Sequence, residues 1–301
     1  MKHVPRFATK KSKSTIQILK ADTFRSLPWL IHGFSTRVGG FSKMYGGKAL
    51  NLGFTGTDAR GDVERNRVAF LNQLGRRDAK SDWRLITLRQ VHSAVIYRVD
   101  AVPDHQLVGD GLITNTPGLL LGIQTADCLP VLMVDPVCRA VGAFHAGWRG
   151  TLARIVEKGA GEMRRWFGTD ARDLRAAIGP GIHSCCYEVG EEVRQQFEAQ
   201  FRYAADLFRE VKEEDPVKSK YPLLFLTARP PGHEPPEFGR KIFLDLVEAN
   251  RRQLLDLGVH KKNILASDLC TSCRSDILFS YRKEKGITGR LMGVVGIRTS
   301  N

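Results

Sequence analysis

The chain has 301 residues, of which 42% are hydrophobic and 26% charged. That balance excludes a disordered or collagen-like polymer, and the length supports one large core or two medium ones. Lysine and arginine number 46 against 32 aspartates and glutamates, a net charge of +14, which raises nucleic acid as a partner. No apolar run reaches the roughly 18 residues of a membrane span.

Six of the basic residues, Lys2, Arg6, Lys10, Lys11, Lys13 and Lys20, stand in the first twenty positions with no acid among them. Residues 1–25 therefore read as a basic, flexible tail. The tail lacks the apolar core and cleavage site of a secretory signal. Its composition also fits an organelle transit peptide, but a solvated terminus is the plainer reading and points to the cytoplasm. A strand follows over 32–36, and then Arg37-Val38-Gly39-Gly40 turns the chain. Val63, Val68, Phe70, Leu71 and Leu74 mark an amphipathic helix over 62–74, stopped by Gly75. Strands are expected at 84–88, 94–99, 119–124, 130–134 and 140–145, a helix at 151–167 and a strand at 174–178. Helices at 190–200 and 243–257, the latter ending at Gly258, precede strands at 263–266 and 291–297. Arg-Arg pairs at 76–77, 164–165 and 251–252 fall on helices or their ends, so the scattered charge reads as solvated helix faces. No nucleic-acid module underlies it, which argues against nucleic acid as a partner.

Residues 202–240 break this rhythm. Lys/Glu-rich text runs into Ala228-Arg229-Pro230-Pro231-Gly232-His233-Glu234-Pro235-Pro236, which cannot be a helix or a central strand. It reads as a surface insertion or lid within one α/β domain of mixed sheet, 26–301. The six cysteines, at 128, 138, 185, 186, 270 and 273, are expected to be reduced in a chain large enough to need no staples. Cys270-Thr271-Ser272-Cys273 is half a zinc ribbon or a redox pair. No second Cys-x-x-Cys exists, and only Cys185-Cys186 remains as a complementary pair. Reduced structural thiols are the default.

Three segments put a good ligand at the end of an expected strand: Gln90-Val91-His92, Thr125-Ala126-Asp127-Cys128-Leu129-Pro130 and His145-Ala146-Gly147-Trp148-Arg149-Gly150. Two imidazoles and one thiolate make a three-ligand tetrahedral zinc set with an open fourth position, the pattern of catalytic zinc. Taken singly, each has a plainer use: a rim histidine, or a cysteine acting as a small hydrophobe. Asp127 interrupts apolar text, where an unpaired carboxylate would cost several kcal/mol, although it could also cap a turn. Gly147 and Gly150 bracket Trp148-Arg149 where a helix begins, so a guanidinium and backbone N–H groups would meet an anion. Arg149 could equally be a surface charge.

In chain order these segments join Ser35-Thr36-Arg37-Val38-Gly39-Gly40, Asn51-Leu52-Gly53, Gly179-Pro180-Gly181-Ile182, Cys185-Cys186-Tyr187-Glu188-Val189 and Cys270-x-x-Cys273. Over about residues 30–297 the chain strongly resembles the laccase-domain family, also called polyphenol oxidoreductase or YfiH-like purine nucleoside phosphorylase. The resemblance implies a single α/β domain layered α/β/β/α with mixed β-sheets and a metal held by His92, Cys128 and His145. It also implies phosphorolysis of adenosine, inosine, guanosine and methylthioadenosine, and deamination of adenosine. Purine nucleosides and phosphate would be the partners. On that reading Asp127 shuttles a proton or orients an imidazole, Arg37 and Arg149 meet phosphate, and Asn51 meets ribose or base. The family's older name implies copper instead. The eight histidines contain no His-x-His, so a trinuclear copper site cannot be built within one chain, but a single His2Cys copper can. Met133 is the nearest axial candidate in sequence, although a buried strand would claim it. A hydrolase editing cell-wall precursors is a further activity suggested within the family.

Overall fold

Leu119–Ile123 and Leu129–Val134 are apolar without alternation, the pattern of strands covered on both faces. In the computed structural model, which describes residues 7–9, 16–75, 83–212 and 239–299, they form the centre of a sandwich. The chain divides into two compact units, 1–182 with 246–301 and 183–245.

In the larger unit one six-stranded sheet runs β1 (Phe7–Thr9), β2 (Ile18–Ala21), β3 (Leu30–Ser35), β16 (Leu291–Ile297), β8 (Leu119–Thr125), β5 (Arg84–Thr87). The other runs β15 (Ile264–Ala266), β11 (Arg175–Ile178), β9 (Leu129–Asp135), β10 (Ala140–Ala146), β7 (Gly111–Thr114), β6 (Ile96–Arg98). Both are mixed: β5 with β8, β6 with β7 and β11 with β15 pair in parallel, the other neighbours antiparallel. Period-2 geometry sorts the side chains between layers. From β16, Val295 and Ile297 join Phe34, Leu121, Leu132 and Val141 between the sheets. Met292 and Val294 face the other way, onto Phe70 and Leu74 of helix α1 (Arg60–Leu74). β4 (Val38–Ser42) lies against α1.

On the second sheet, α3 (Ile155–Phe167) packs on β10 so closely that a Cβ at Gly159 would lie 2.4 Å from the Phe144 ring. α5 (Leu246–Asp256) packs against α3. The order helix, sheet, sheet, helix is the layering the resemblance implies. No helix among the described residues is long and apolar enough to cross a membrane.

The smaller unit holds β12 (Glu188–Val189), α4 (Glu191–Gln200), β13 (Phe208–Lys212) and β14 (Arg240–Leu244), with the strands in the antiparallel order β12-β14-β13. Phe197 of α4 meets Phe208 edge-on at 5.9 Å.

Several expectations shift. The helix expected at 151–167 is two, because Arg154 takes a left-handed conformation (φ 60°) between α2 (Trp148–Leu152) and α3. A left-handed residue ends a right-handed helix. Within the stretch read as a tail, Ile18–Ala21 pairs with β3, and Leu19, Ala21 and Phe24 are core residues; residues 1–6 and 10–15 lie outside the described residues. Within the stretch read as an insertion, 208–212 and 240–244 are paired strands. Charged side chains, Arg209, Glu210 and Lys212 on one strand and Arg240 and Lys241 on the other, hid them. The Pro-rich text, 213–238, lies outside the described residues, as does the Arg76-Arg77 pair.

Candidate metal centre

The three expected ligands converge. His92 lies in the turn after β5, Cys128 in the link that leaves β8 in one sheet and enters β9 in the other, and His145 near the end of β10. One ligand atom from each lies within 4.8 Å of the others, and the two imidazole rings stand 4.9 Å apart at 63°. His145 is buried, Cys128 half-buried and His92 exposed, so the cluster opens to solvent on the His92 side.

Gly147 keeps space beside it. A Cβ there would lie 2.8 Å from Cys128 Sγ and 3.1 Å from the His92 ring. His92 (φ 60°) and Asp127 (φ 90°) both hold left-handed backbone, a strained state for non-glycine residues that concentrates at functional sites.

Asp110, fully buried just before β7, organises the set. Its Oδ1 accepts from His145 Nδ1 (2.8 Å) and the His92 amide (3.0 Å). Its Oδ2 accepts from the Ser93 amide (2.6 Å), the Ser93 hydroxyl (2.7 Å) and the Val91 amide (3.3 Å). Burial alone would raise its pKa, but the hydrogen bonds from His145 and Ser93 outweigh it and hold the carboxyl at about 2. Burial likewise pushes the Cys128 thiol up, and the neighbouring His145 charge with hydrogen bonds from both imidazoles brings it down to about 6. His145 moves the other way. Burial lowers it, while the Cys128 thiolate and Asp110 raise it to about 9. A thiolate beside an imidazole whose far nitrogen is carboxylate-bound is a donor set suited to a borderline-soft metal ion. Gln90 braces the same segment from the other sheet: its side chain donates to the Gln124 carbonyl and accepts from the Gln124 amide, both at 2.8 Å.

Asp127 does not touch an imidazole in the described contacts. Its Oδ1 accepts from the Thr271 hydroxyl (2.6 Å) and its Oδ2 from the Arg282 amide (2.7 Å). Arg149 is exposed, with its guanidinium over the Trp148 ring at 4.4 Å.

Arg37 and Asn51 lie in a second polar cluster. Arg37 Nη1 donates to the Ser275 carbonyl (2.7 Å) and Glu284 (3.0 Å), its Nη2 donates to the Tyr45 carbonyl (3.0 Å), and Phe279 lies under it at 4.7 Å. The amides of Gly39 and Gly40 both donate to the Lys48 carbonyl. A Cβ on Gly40 would lie 2.2 Å from the Ala49 carbonyl oxygen, so this glycine serves a close approach of backbones. Asn51 is fully buried, accepts from the Gly53 and Arg290 amides and donates to the Gly53 carbonyl and Asp58.

Asp110 escaped the sequence reading. Its signal was available: a lone acid between Gly109 and Gly111 at the mouth of an apolar strand needs a partner, by the argument that singled out Asp127.

Residues 31–298 match the family described as multi-copper polyphenol oxidoreductase laccase. A purine nucleoside phosphorylase of Deinococcus radiodurans is 37% identical over 267 residues, 88% of each chain. An adenosine deaminase, RL5, from an unknown prokaryotic organism is 33% identical over 208 residues, 66% of this chain and 70% of that one. The solved structure of YfiH from Bacillus licheniformis, described as a hypothetical protein, matches with a TM-score of 0.78 at 29% identity, covering 96% of this chain and 99% of the other. The chain is an enzyme and belongs to the multi-copper polyphenol oxidoreductase laccase family, among relatives named YfiH and YlmD purine nucleoside phosphorylases.

Proposed function

We propose that this enzyme is a zinc-dependent purine nucleoside phosphorylase that also deaminates adenosine. Its substrates would be adenosine, inosine, guanosine and methylthioadenosine, with inorganic phosphate as co-substrate. The observation that carries the reading is the convergence of His92, Cys128 and His145 on one solvent-facing point, in a chain whose relatives carry those two enzyme names.

The donor set fits zinc, with two imidazole nitrogens and a thiolate leaving a fourth tetrahedral position. When bound, the ion supplies a Lewis acid and brings the pKa of a coordinated water to about 7. The protein's own residues do the rest. Asp110 fixes His145 and the His92 segment, and Gly147 keeps the neighbouring space clear. Arg149, exposed beside the cluster's own segment and in no ion pair with a described residue, is the guanidinium available to phosphate. Asp127, next to Cys128 and held by the Thr271 hydroxyl and the Arg282 amide, is the carboxylate assigned to shuttle the proton of deamination. Copper fits less well. Met133 is fully buried on β9, three residues from the register partner of His145, which is about 10 Å along a strand. A cytoplasmic location follows from reading the cysteines as reduced.

Incubation with adenosine and phosphate tests the reading, with adenine, inosine and hypoxanthine as the products to follow. The wild type should form them and His92→Ala should not. Absence of all three from the wild type overturns the purine assignment. Stoichiometric copper with a blue thiolate absorption, in protein purified without added metal, overturns zinc.

A further inference from the structure

Both metal-ligand segments with an imidazole hang on one carboxylate. Five donors converge on Asp110: the ring Nδ1 of His145, the amides of Val91, His92 and Ser93, and the Ser93 hydroxyl. The group is fully buried, so none of these bonds is shared with solvent. We infer that Asp110 is the positioning residue of the ligand set: it commits His145 to ligation through Nε2 and holds His92 in its left-handed turn. This rests on the metal reading above.

The argument is one of acceptor count. An imidazole whose Nδ1 hydrogen points at a carboxylate has its lone pair on Nε2, the side turned to Cys128. The same oxygen takes the His92 amide, so the ring of one ligand and the backbone of the other move as a unit. The left-handed turn at His92 brings three successive amides, 91 to 93, onto one acceptor group. An extended His92 would spread them. An amide side chain at 110 cannot replace this. With one oxygen and one NH2 it must present a donor either to His145 Nδ1 or to the Ser93 donors.

Cobalt(II) titration of metal-free wild type and Asp110→Asn, followed by ligand-field absorption, reads the effect. We expect Asp110→Asn to bind cobalt about 10- to 100-fold more weakly, the usual cost of losing an outer-shell partner, with a shifted band. Nitrogen-15 NMR of the zinc-loaded wild type gives a second reading that needs no variant. His145 Nδ1 should carry the hydrogen and Nε2 the metal shift. Equal cobalt affinity and an identical band in the two proteins overturn the inference while leaving the metal reading intact. The opposite nitrogen assignment overturns it even if Asp110→Asn fails to fold. Lack of cobalt uptake by the wild type overturns the metal reading, and this inference with it.

Discussion

Around Asn51 and Arg37, internal partners hold the Asn51 amide on both its polar atoms and Arg37 on both its terminal nitrogens. Asn51 makes four hydrogen bonds, and Asn66 beside it donates to Ser42, the Ala49 carbonyl and the Asn51 carbonyl. Arg37 is held by two carbonyls, Glu284 and the Phe279 ring. Around His92, Cys128 and His145 the satisfied groups are behind the cluster, on Asp110 and Gln90, while the ligand atoms face one another and solvent. Both clusters come from polar motifs rich in glycine and are indistinguishable in kind on paper. Saturation sets Asn51 apart: a buried amide with every bond internal builds the fold, whereas a side chain held from behind with its front open can meet a ligand.

The largest effect that could break this contrast is at Cys128. Cys128→Ala should abolish metal uptake and lower phosphorolysis beyond the about 100-fold that losing an outer partner costs, with a thermal midpoint measured without metal close to that of the wild type. Retained activity would remove the cluster from the chemistry. Next comes Asn51→Ala, which strands the Gly53 and Arg290 amides, while Asp58 keeps the Ser42 hydroxyl. At about 1–3 kcal/mol for each unsatisfied buried group, urea unfolding should show a loss of at least about 2 kcal/mol, while KM for nucleoside in the remaining folded protein stays put. A raised KM with unchanged stability would move Asn51 to the substrate.

Gly147→Ala should cost about 1–3 kcal/mol of overpacking and weaken metal binding, because the new methyl meets Cys128 Sγ; normal affinity would show that the space beside the ligands is not needed. His32 provides a control away from both clusters. Burial and then the Lys20 charge hold its pKa at about 3 against an ordinary 6.5, and its ring accepts from the Ala21 amide. Between those values the unfolded chain binds a proton that the folded one refuses. Stability should therefore fall with acidification through this window, at up to about 1.4 kcal/mol per pH unit, and the His32→Gln slope should be shallower by that amount. Arg149→Ala should be the mildest, within about 0.5 kcal/mol of wild-type stability, yet it should raise KM for phosphate and leave deamination alone. Arg37→Ala, by contrast, should lose stability first.

The strands buried on both faces were legible because uninterrupted apolar text such as Leu119–Ile123 has few other uses. The convergence of His92, Cys128 and His145 was legible because cysteine and histidine carry their chemistry in their identity. What stayed hidden was what depends on partners distant in sequence. Asp110 reads as a loop acid until β7 and β10 bring His145 to it. Asn51 and Arg37, expected at the substrate, also take internal partners from the far end of the chain, Arg290 for the one and Ser275 and Glu284 for the other, which no local text announces. The β13–β14 pair carries Arg209, Glu210, Lys212, Arg240 and Lys241, and only Ile242 and Leu244 alternate into its core, too short a signal to reveal it. The break at Arg154 rests on one left-handed residue inside helix-compatible text, which no local propensity reports.

The passage of the chain from one sheet to the other between Thr125 and Leu129 would make a metal ion held at this cluster a mechanical element. His92 follows a strand of the first sheet, His145 ends a strand of the second, and Cys128 sits on the crossing itself. An ion held by all three is a rivet through the sandwich, and its binding energy adds to the resistance of the layers to parting. At a free concentration a hundred times the dissociation constant that is about 2.7 kcal/mol. Heat tolerance should then follow metal supply, and hydrogen exchange at the open end of β8, β9 and β10 should slow when zinc is added.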